Sequence, residues 1–112
     1  MLFPRIVVDS SAAPTELCAL GYKHGTDKSP YNEHGHRHPY TAVYNMLFAG
    51  LKNKPVRFVE IGVAAGSSAC MWAEYFTHPE ARLTFYDRDT NFLENCLRRV
   101  SDRRIQIGRA HV

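Results

Sequence analysis

No stretch of the 112-residue chain approaches the roughly 20 consecutive apolar residues that a membrane helix requires. The longest apolar run, around Tyr40–Leu51, is broken by Thr41, Asn45 and Gly50. The opening MLFPRIVVDSS holds one Arg, one Pro and no sustained apolar core, which makes a poor signal peptide. Cysteine is scarce: Cys18, Cys70 and Cys96 are odd in number, far apart and form no CxxC pair. That argues against a disulfide framework and a cysteine-based zinc site. It is the usage of a reducing compartment, so a cytoplasmic location is expected. Excess charge is also slight, at +3. A nucleic-acid binder would show a basic stripe on one face; neither nucleic acid nor membrane is an expected partner. The densest basic stretch, Arg98, Arg99, Arg103 and Arg104, is interrupted by Asp102 and is expected to be a solvated helix end. No Ser-His-Asp or Cys-His arrangement has supporting context, so hydrolase chemistry is not supported. What is present is 45% apolar and 22% charged residues, an ordinary share for one globular domain and a length too short for two.

Pro14–Tyr22 predicts a short helix with Thr15 and Glu16 at its start, an apolar face of Leu17, Ala19 and Leu20, and Gly21 weakening its end. His24–Pro39 is rich in Gly, Pro, Ser and Asn and predicts a loop. Tyr40, Val43, Tyr44, Leu47, Phe48 and Leu51 then recur at helical spacing, the clearest such stripe in the chain. Asn53-Lys54-Pro55 ends that element. Val56–Ile61 predicts a buried strand, 62–66 a small-residue turn, and Ser67–Phe76 a helix with Met71, Trp72, Tyr75 and Phe76 inward. Ala81–Tyr86 predicts a second strand, Asn91–Val100 a helix with Asn91 and Glu94 in capping positions, and Arg104–Ile107 the start of a third strand. The Ile6–Val8 run is strand-like. Strands alternating with helices imply an α/β fold with a parallel sheet.

The chemistry concentrates between Val56 and Asp89. An apolar strand runs into EIGVAAGSS and directly into a helix. Without side chains at Gly62 and Gly66 the backbone can turn tightly and a ligand can approach it closely. The helix that follows offers free N–H groups and partial positive charge. The second strand ends at Tyr86-Asp87-Arg88-Asp89, and Asp87 lies 21 residues after Gly66. An acid at the tip of strand 2 of a βαβ unit is placed to accept the ribose hydroxyls of a nucleoside. The dinucleotide pattern G-x-G-x-x-G is not met, since Gly62-Val63-Ala64-Ala65-Gly66-Ser67 has Gly at the fifth place and Ser at the sixth.

Glu60 followed by small residues at Gly62, Ala64 and Gly66 resembles motif I of class I S-adenosylmethionine methyltransferases. The ordered set GTDK at Gly25–Lys28, His38-Pro39-Tyr40, VEIGVAAGSS, MWAEYF at Met71–Phe76 and the FYDRD strand end resembles the group that includes mycinamicin-type macrolide-sugar O-methyltransferases. The resemblance covers about Leu17 to Asp102. It implies a Rossmann-like fold preceded by two helices and S-adenosylmethionine as methyl donor. It places Glu60 near the methionine moiety and Asp87 on the ribose, with Gly62, Ala64, Gly66 and Ser67 forming the cradle. Ala64 stands where most members have Gly, which leaves less clearance. In that group carboxylates later in the domain hold a metal, usually magnesium; no position here matches that pattern. The implied acceptor is a hydroxyl of a sugar or other small molecule.

Blander roles stand beside these. Glu60 could pair at a strand end, Asp87 could pair with Arg57 or Arg88, and Asp89 could be the ribose acid, although Asp87 ends the apolar run and Asp89 suits a helix cap. Ser67 and Ser68 fit caps as well as ligand contacts. Met71 and Trp72 fit core, and His34, His36 and His38 fit a solvated loop better than a metal site. A dinucleotide enzyme and a non-catalytic nucleotide-binding or assembly module are the competing functions. The expected organisation is a helix and polar loop over 1–38 and the first half of a cofactor-binding domain over 39–106. Residues 107–112, IGRAHV, match the in-frame translation of a common sequencing adapter and are expected to be an assembly scar. On that reading the chain is the N-terminal fragment of a longer enzyme and inactive alone, because a doubly wound site needs both halves of its sheet.

Overall fold

The computed structural model describes residues 14–33, 35–62 and 66–109. The strand-like run at 6–8, His34 and Ala64 lie outside them. Helix α1 (Glu16–His24) and helix α2 (Tyr40–Phe48, followed by a 3-10 turn at Ala49–Leu51) precede strand β1 (Arg57–Ile61), helix α3 (Ser67–Tyr75), strand β2 (Arg82–Asp87), helix α4 (Thr90–Arg99) and strand β3 (Ile105–Arg109). The strands lie side by side in the order β1-β2-β3 and both pairings are parallel. Parallel neighbours need a crossover, and α3 and α4 supply the two. This β-α-β-α-β unit is the arrangement of one half of a Rossmann-like fold. Residues 107–109, set apart on sequence grounds, are the last three of β3 and pair with Phe85, Tyr86 and Asp87.

Register decides which strand residues share a face. Phe58 pairs with Leu83 and Glu60 with Phe85, while Leu83 pairs with Ile105 and Phe85 with Ile107. This face carries the core: Leu83 and Phe85 are buried with Leu17, Ala69, Met71, Trp72, Tyr75, Phe76 and Ala81, and Phe58, Ile105 and Ile107 pack against them. Phe58 and Phe76 lie within 4.6 and 5.6 Å of the Trp72 ring centroid. Aromatic pairs in this range add to the area they bury. On the opposite face Val59 is 57% and Ile61 76% exposed. Among the described residues, strand β1 is therefore covered on one face rather than buried on both, because their helices pack on the Phe58 side.

Several expectations need correcting at the level of packing. Helix α1 starts where Thr15 Oγ1 accepts the Cys18 N–H and runs past Gly21 to the left-handed Gly25, φ 71°. The helix thus reaches two residues beyond the expected Tyr22; a Cβ at Gly21 would sit 2.8 Å from Ser29 Cβ, so this glycine is a point of close approach. Ala19, assigned to the apolar face, is exposed, and Leu17, Cys18 and Gly21 are the buried positions. In α2 the residues buried are Thr41 and Ala42, whereas Tyr40, Val43, Leu47 and Leu51 of the stripe are exposed. The helix meets α1 through Thr41, whose hydroxyl donates to Cys18 Sγ and whose methyl faces Gly21, and the core through Tyr44 and Phe48. Loop 25–39 is irregular as predicted but not merely solvated. Thr26, Ser29 and Asn32 are buried, and Ser29 Oγ donates to the Cys18 carbonyl while Asn32 Nδ2 donates to that of His36. Arg104 is not a solvated cation either. It is buried, pairs with Asp102, and donates to the carbonyls of Ala73, Phe76 and His78, satisfying the C-terminal end of α3.

Candidate functional site

The site lies where β1 and β2 end and α3 begins. Gly62 follows β1 with φ 87°, and its N–H donates to the Tyr86 carbonyl at 2.7 Å. Among the described residues a Cβ at Gly62 would meet nothing within 4 Å. Gly66 has φ 90°, a region L side chains rarely adopt, and stands at the N-cap of α3 without a side-chain cap. Its carbonyl accepts the Cys70 N–H and begins the helix. Gly66 itself offers no side chain to cap the main-chain N–H groups of the first turn.

Glu60 points to the covered face, and α3 holds it. Ser68 Oγ donates to Oε1 at 2.5 Å and the Trp72 indole N–H donates to Oε2 at 3.0 Å. Lys28 Nζ lies 3.8 Å from the same Oε2. Ser68 and Trp72 are four apart, one turn of α3, and so present both donors from one stripe. Trp72 is core, as expected, and also a polar partner of the site. The carboxylate lines an open cavity of about 260 Å³ with Tyr44, Phe48, Phe58, Val59, Ile61 and Trp72. Burial, followed by the charge of Glu60, pushes the Tyr44 phenol above its ordinary range.

Asp87 ends β2, is buried, and accepts the Asp89 N–H on Oδ1 at 2.9 Å. Asp89 in turn accepts the Asn91 N–H on Oδ1 at 2.9 Å. Asp89 thus caps α4, which begins at Thr90, as its place before the helix suggested, and the cap lies two residues before Asn91 rather than at Asn91. The structure brings Glu60, Gly62, Gly66 and Asp87 to one end of the sheet. Ser67 is placed differently from Ser68: its hydroxyl accepts from Arg99 Nη1 at 3.0 Å. Spacing alone did not single out Ser68 or Lys28 as partners of Glu60. His36 and His38 of the 25–39 loop stack ring on ring with Tyr40, the first residue of α2. No group of three metal-ligating side chains converges among the described residues.

No protein-family model and no solved structure matches the chain. Two curated proteins of Streptomyces olivaceus do. An 8-demethyl-8-alpha-L-rhamnosyl tetracenomycin-C 2'-O-methyltransferase is 39% identical over 67 residues, which is 54% of this chain and 16% of that protein. An 8-demethyl-8-(2-methoxy-alpha-L-rhamnosyl)-tetracenomycin-C 3'-O-methyltransferase is 32% identical over 85 residues, 70% of this chain and 20% of that protein. The chain spans a fifth or less of the length of these relatives. Over that span, the resemblance read from its motifs holds: the chain is similar to O-methyltransferases of rhamnosylated tetracenomycins.

Proposed function

We propose that the chain forms the nucleoside-binding part of an S-adenosylmethionine-dependent O-methyltransferase. Its acceptor is a hydroxyl of a sugar or other small molecule. The observation that carries this reading is the pairing of two buried or half-buried acids, Glu60 and Asp87, at the ends of neighbouring parallel strands beside a glycine turn. The relatives' O-methyl transfer to rhamnosyl groups supports the acceptor class.

The residues present fit such a cofactor. Asp87 receives the ribose hydroxyls, and Gly62 and Gly66, which lack side chains, leave the main chain accessible to the ligand; Ala64, between them in sequence, lies outside the described residues. Ser67 contributes through its main-chain N–H in the first turn of α3, since its hydroxyl already accepts from Arg99. Glu60 has a hydrogen bond on each oxygen, so it acts through its fixed negative charge rather than as a base. When bound, the cofactor supplies a methyl group on a sulfonium, already activated for transfer; the protein's part is binding and orientation. No step is assigned to magnesium. The segment 39–106 is the portion that carries this site.

Scanning fluorimetry of the protein with S-adenosylhomocysteine, with NAD and with buffer alone tests the proposal. A melting shift with S-adenosylhomocysteine and none with NAD is expected. A shift with NAD only would overturn it in favour of a dinucleotide enzyme, and no shift with either would favour a non-catalytic module.

A further inference from the structure

Lys28 stands outside the β1-α3-β2 unit, 32 residues before Glu60, yet it is fastened at two points. Its main-chain carbonyl accepts the N–H groups of Tyr40 and Thr41 at 3.1 and 3.2 Å, two of the donors that the start of α2 leaves without helical partners. The neighbouring Asp27 carbonyl accepts the His38 N–H at 2.7 Å. Loop 25–39 is thereby closed at its base by main-chain bonds, and the buried Thr26 and Ser29 tie it to α1 through the Gly21 and Cys18 carbonyls. The side chain reaches Glu60. Its Nζ is 3.8 Å from Oε2, with the Lys28 side chain 21% and the Glu60 side chain 11% exposed. Water screens a pair at this depth less than it screens one on the surface.

The same Oε2 accepts the Trp72 indole N–H. One carboxylate therefore joins three separate pieces of chain: loop 25–39 through Lys28, the end of β1, and the first two turns of α3 through Ser68 and Trp72. Ser68 and Trp72 satisfy its hydrogen bonding. Neither neutralises its charge, and Lys28 does.

We propose that Lys28 is a positioning residue for Glu60, fastening loop 25–39 across the end of β1 and fixing the carboxylate against α3. The effect on ligand rests on the cofactor reading above, while the clamp itself does not. Two consequences differ in sign. Losing Lys28 loosens the carboxylate and the loop base, which weakens any ligand that needs them ordered. It also leaves the negative charge of Glu60 less compensated, which favours a cationic ligand over a neutral one.

The test uses Lys28→Met and Lys28→Arg in the otherwise unchanged protein. Trp72 is the chain's single tryptophan, so its emission reports on the Glu60 network. Without ligand, Lys28→Met should shift Trp72 emission and Lys28→Arg should restore it. Calorimetry should show S-adenosylhomocysteine affinity falling about tenfold in Lys28→Met but S-adenosylmethionine affinity falling only about threefold, with both near normal in Lys28→Arg. A protein whose packing alone was damaged would lose both affinities in equal proportion. Equal losses, an arginine variant as impaired as the methionine one, or unchanged emission in Lys28→Met would each overturn the proposal. Failure of the unsubstituted protein to bind either nucleoside would count against the cofactor reading, and the emission comparison would still decide the clamp.

Discussion

The two faces of the sheet are made from alternate residues of the same strands and meet opposite surroundings. On one, Leu83 and Phe85 are buried under α3 with Phe58, Ile105 and Ile107 beside them. On the other, Val59 and Ile61 stand exposed and Tyr86 packs over Gly108. The sequence of β1 has apolar residues at both parities, the composition of a parallel strand covered on both sides. Among the described residues the helices provide one cover. Glu60 and Asp87 share the parity of Phe58, Leu83 and Phe85, so both acids ride on the packed face. A carboxylate there has a helix to hold it, as Ser68 and Trp72 hold Glu60. One on the Val59 side would have had no such backing.

The strongest way to break this contrast is to hollow out the packed face. Phe85→Ala should cost about 3–5 kcal/mol, because the lost aromatic ring leaves a cavity among closely packed neighbours. Denaturant melts would read this as a fall in midpoint at constant slope. A change under about 1 kcal/mol would show that this face is not the core. Gly66→Val addresses the site without touching that core. A branched Cβ at φ 90° strains the turn and fills the ligand's approach, so S-adenosylhomocysteine binding should be lost in calorimetry while far-ultraviolet circular dichroism stays. Undiminished affinity would show that this turn is not the cradle.

A smaller effect is expected at the far end of α3. Hydrogen bonds from Arg104 hold the Asp102 carboxyl below its ordinary 3.8. A depressed folded-state value gives stability that is present above the unfolded value and lost as pH falls through the folded one. Asp102→Asn should therefore lower the melting temperature at neutral pH and flatten its decline below about pH 4. An unchanged acid limb would remove Asp102 from the account of α3's end. The smallest effect belongs to the open face: Ile61→Thr should change stability by no more than about 0.5 kcal/mol in the same melts. A cost comparable to that of Phe85→Ala would mean that Ile61 is covered in solution.

Periodicity made the packed face legible. Met71, Trp72, Tyr75 and Phe76 recur at helical spacing, and all four are buried. The same rule misled in α2, where the longest stripe is largely exposed and Thr41 and Ala42 are the buried positions, Thr41 fitting against Gly21 and Cys18 of α1. Buried polar residues were the harder case. Nothing local marks Ser29 or Arg104 as buried, since their partner carbonyls lie 11 and up to 31 residues away. At the site, strand ends and glycines located Glu60 and Asp87, and their convergence followed from the parallel register. The i, i+4 spacing of Ser68 and Trp72 was a readable hint of a shared face. The Lys28 contact was not readable, because it depends on how a loop closes over a sheet.

Calorimetric titration of S-adenosylhomocysteine into the protein and its Asp87→Ala and Asp89→Ala variants tests the nucleoside site most directly. A carboxylate accepting ribose hydroxyls contributes about 1.5–3 kcal/mol. Asp87→Ala should therefore weaken binding by roughly tenfold or more, and Asp89→Ala, which removes only the cap of α4, by far less. The opposite order, or equal losses in the two variants, would contradict the placement of the ribose at the end of β2.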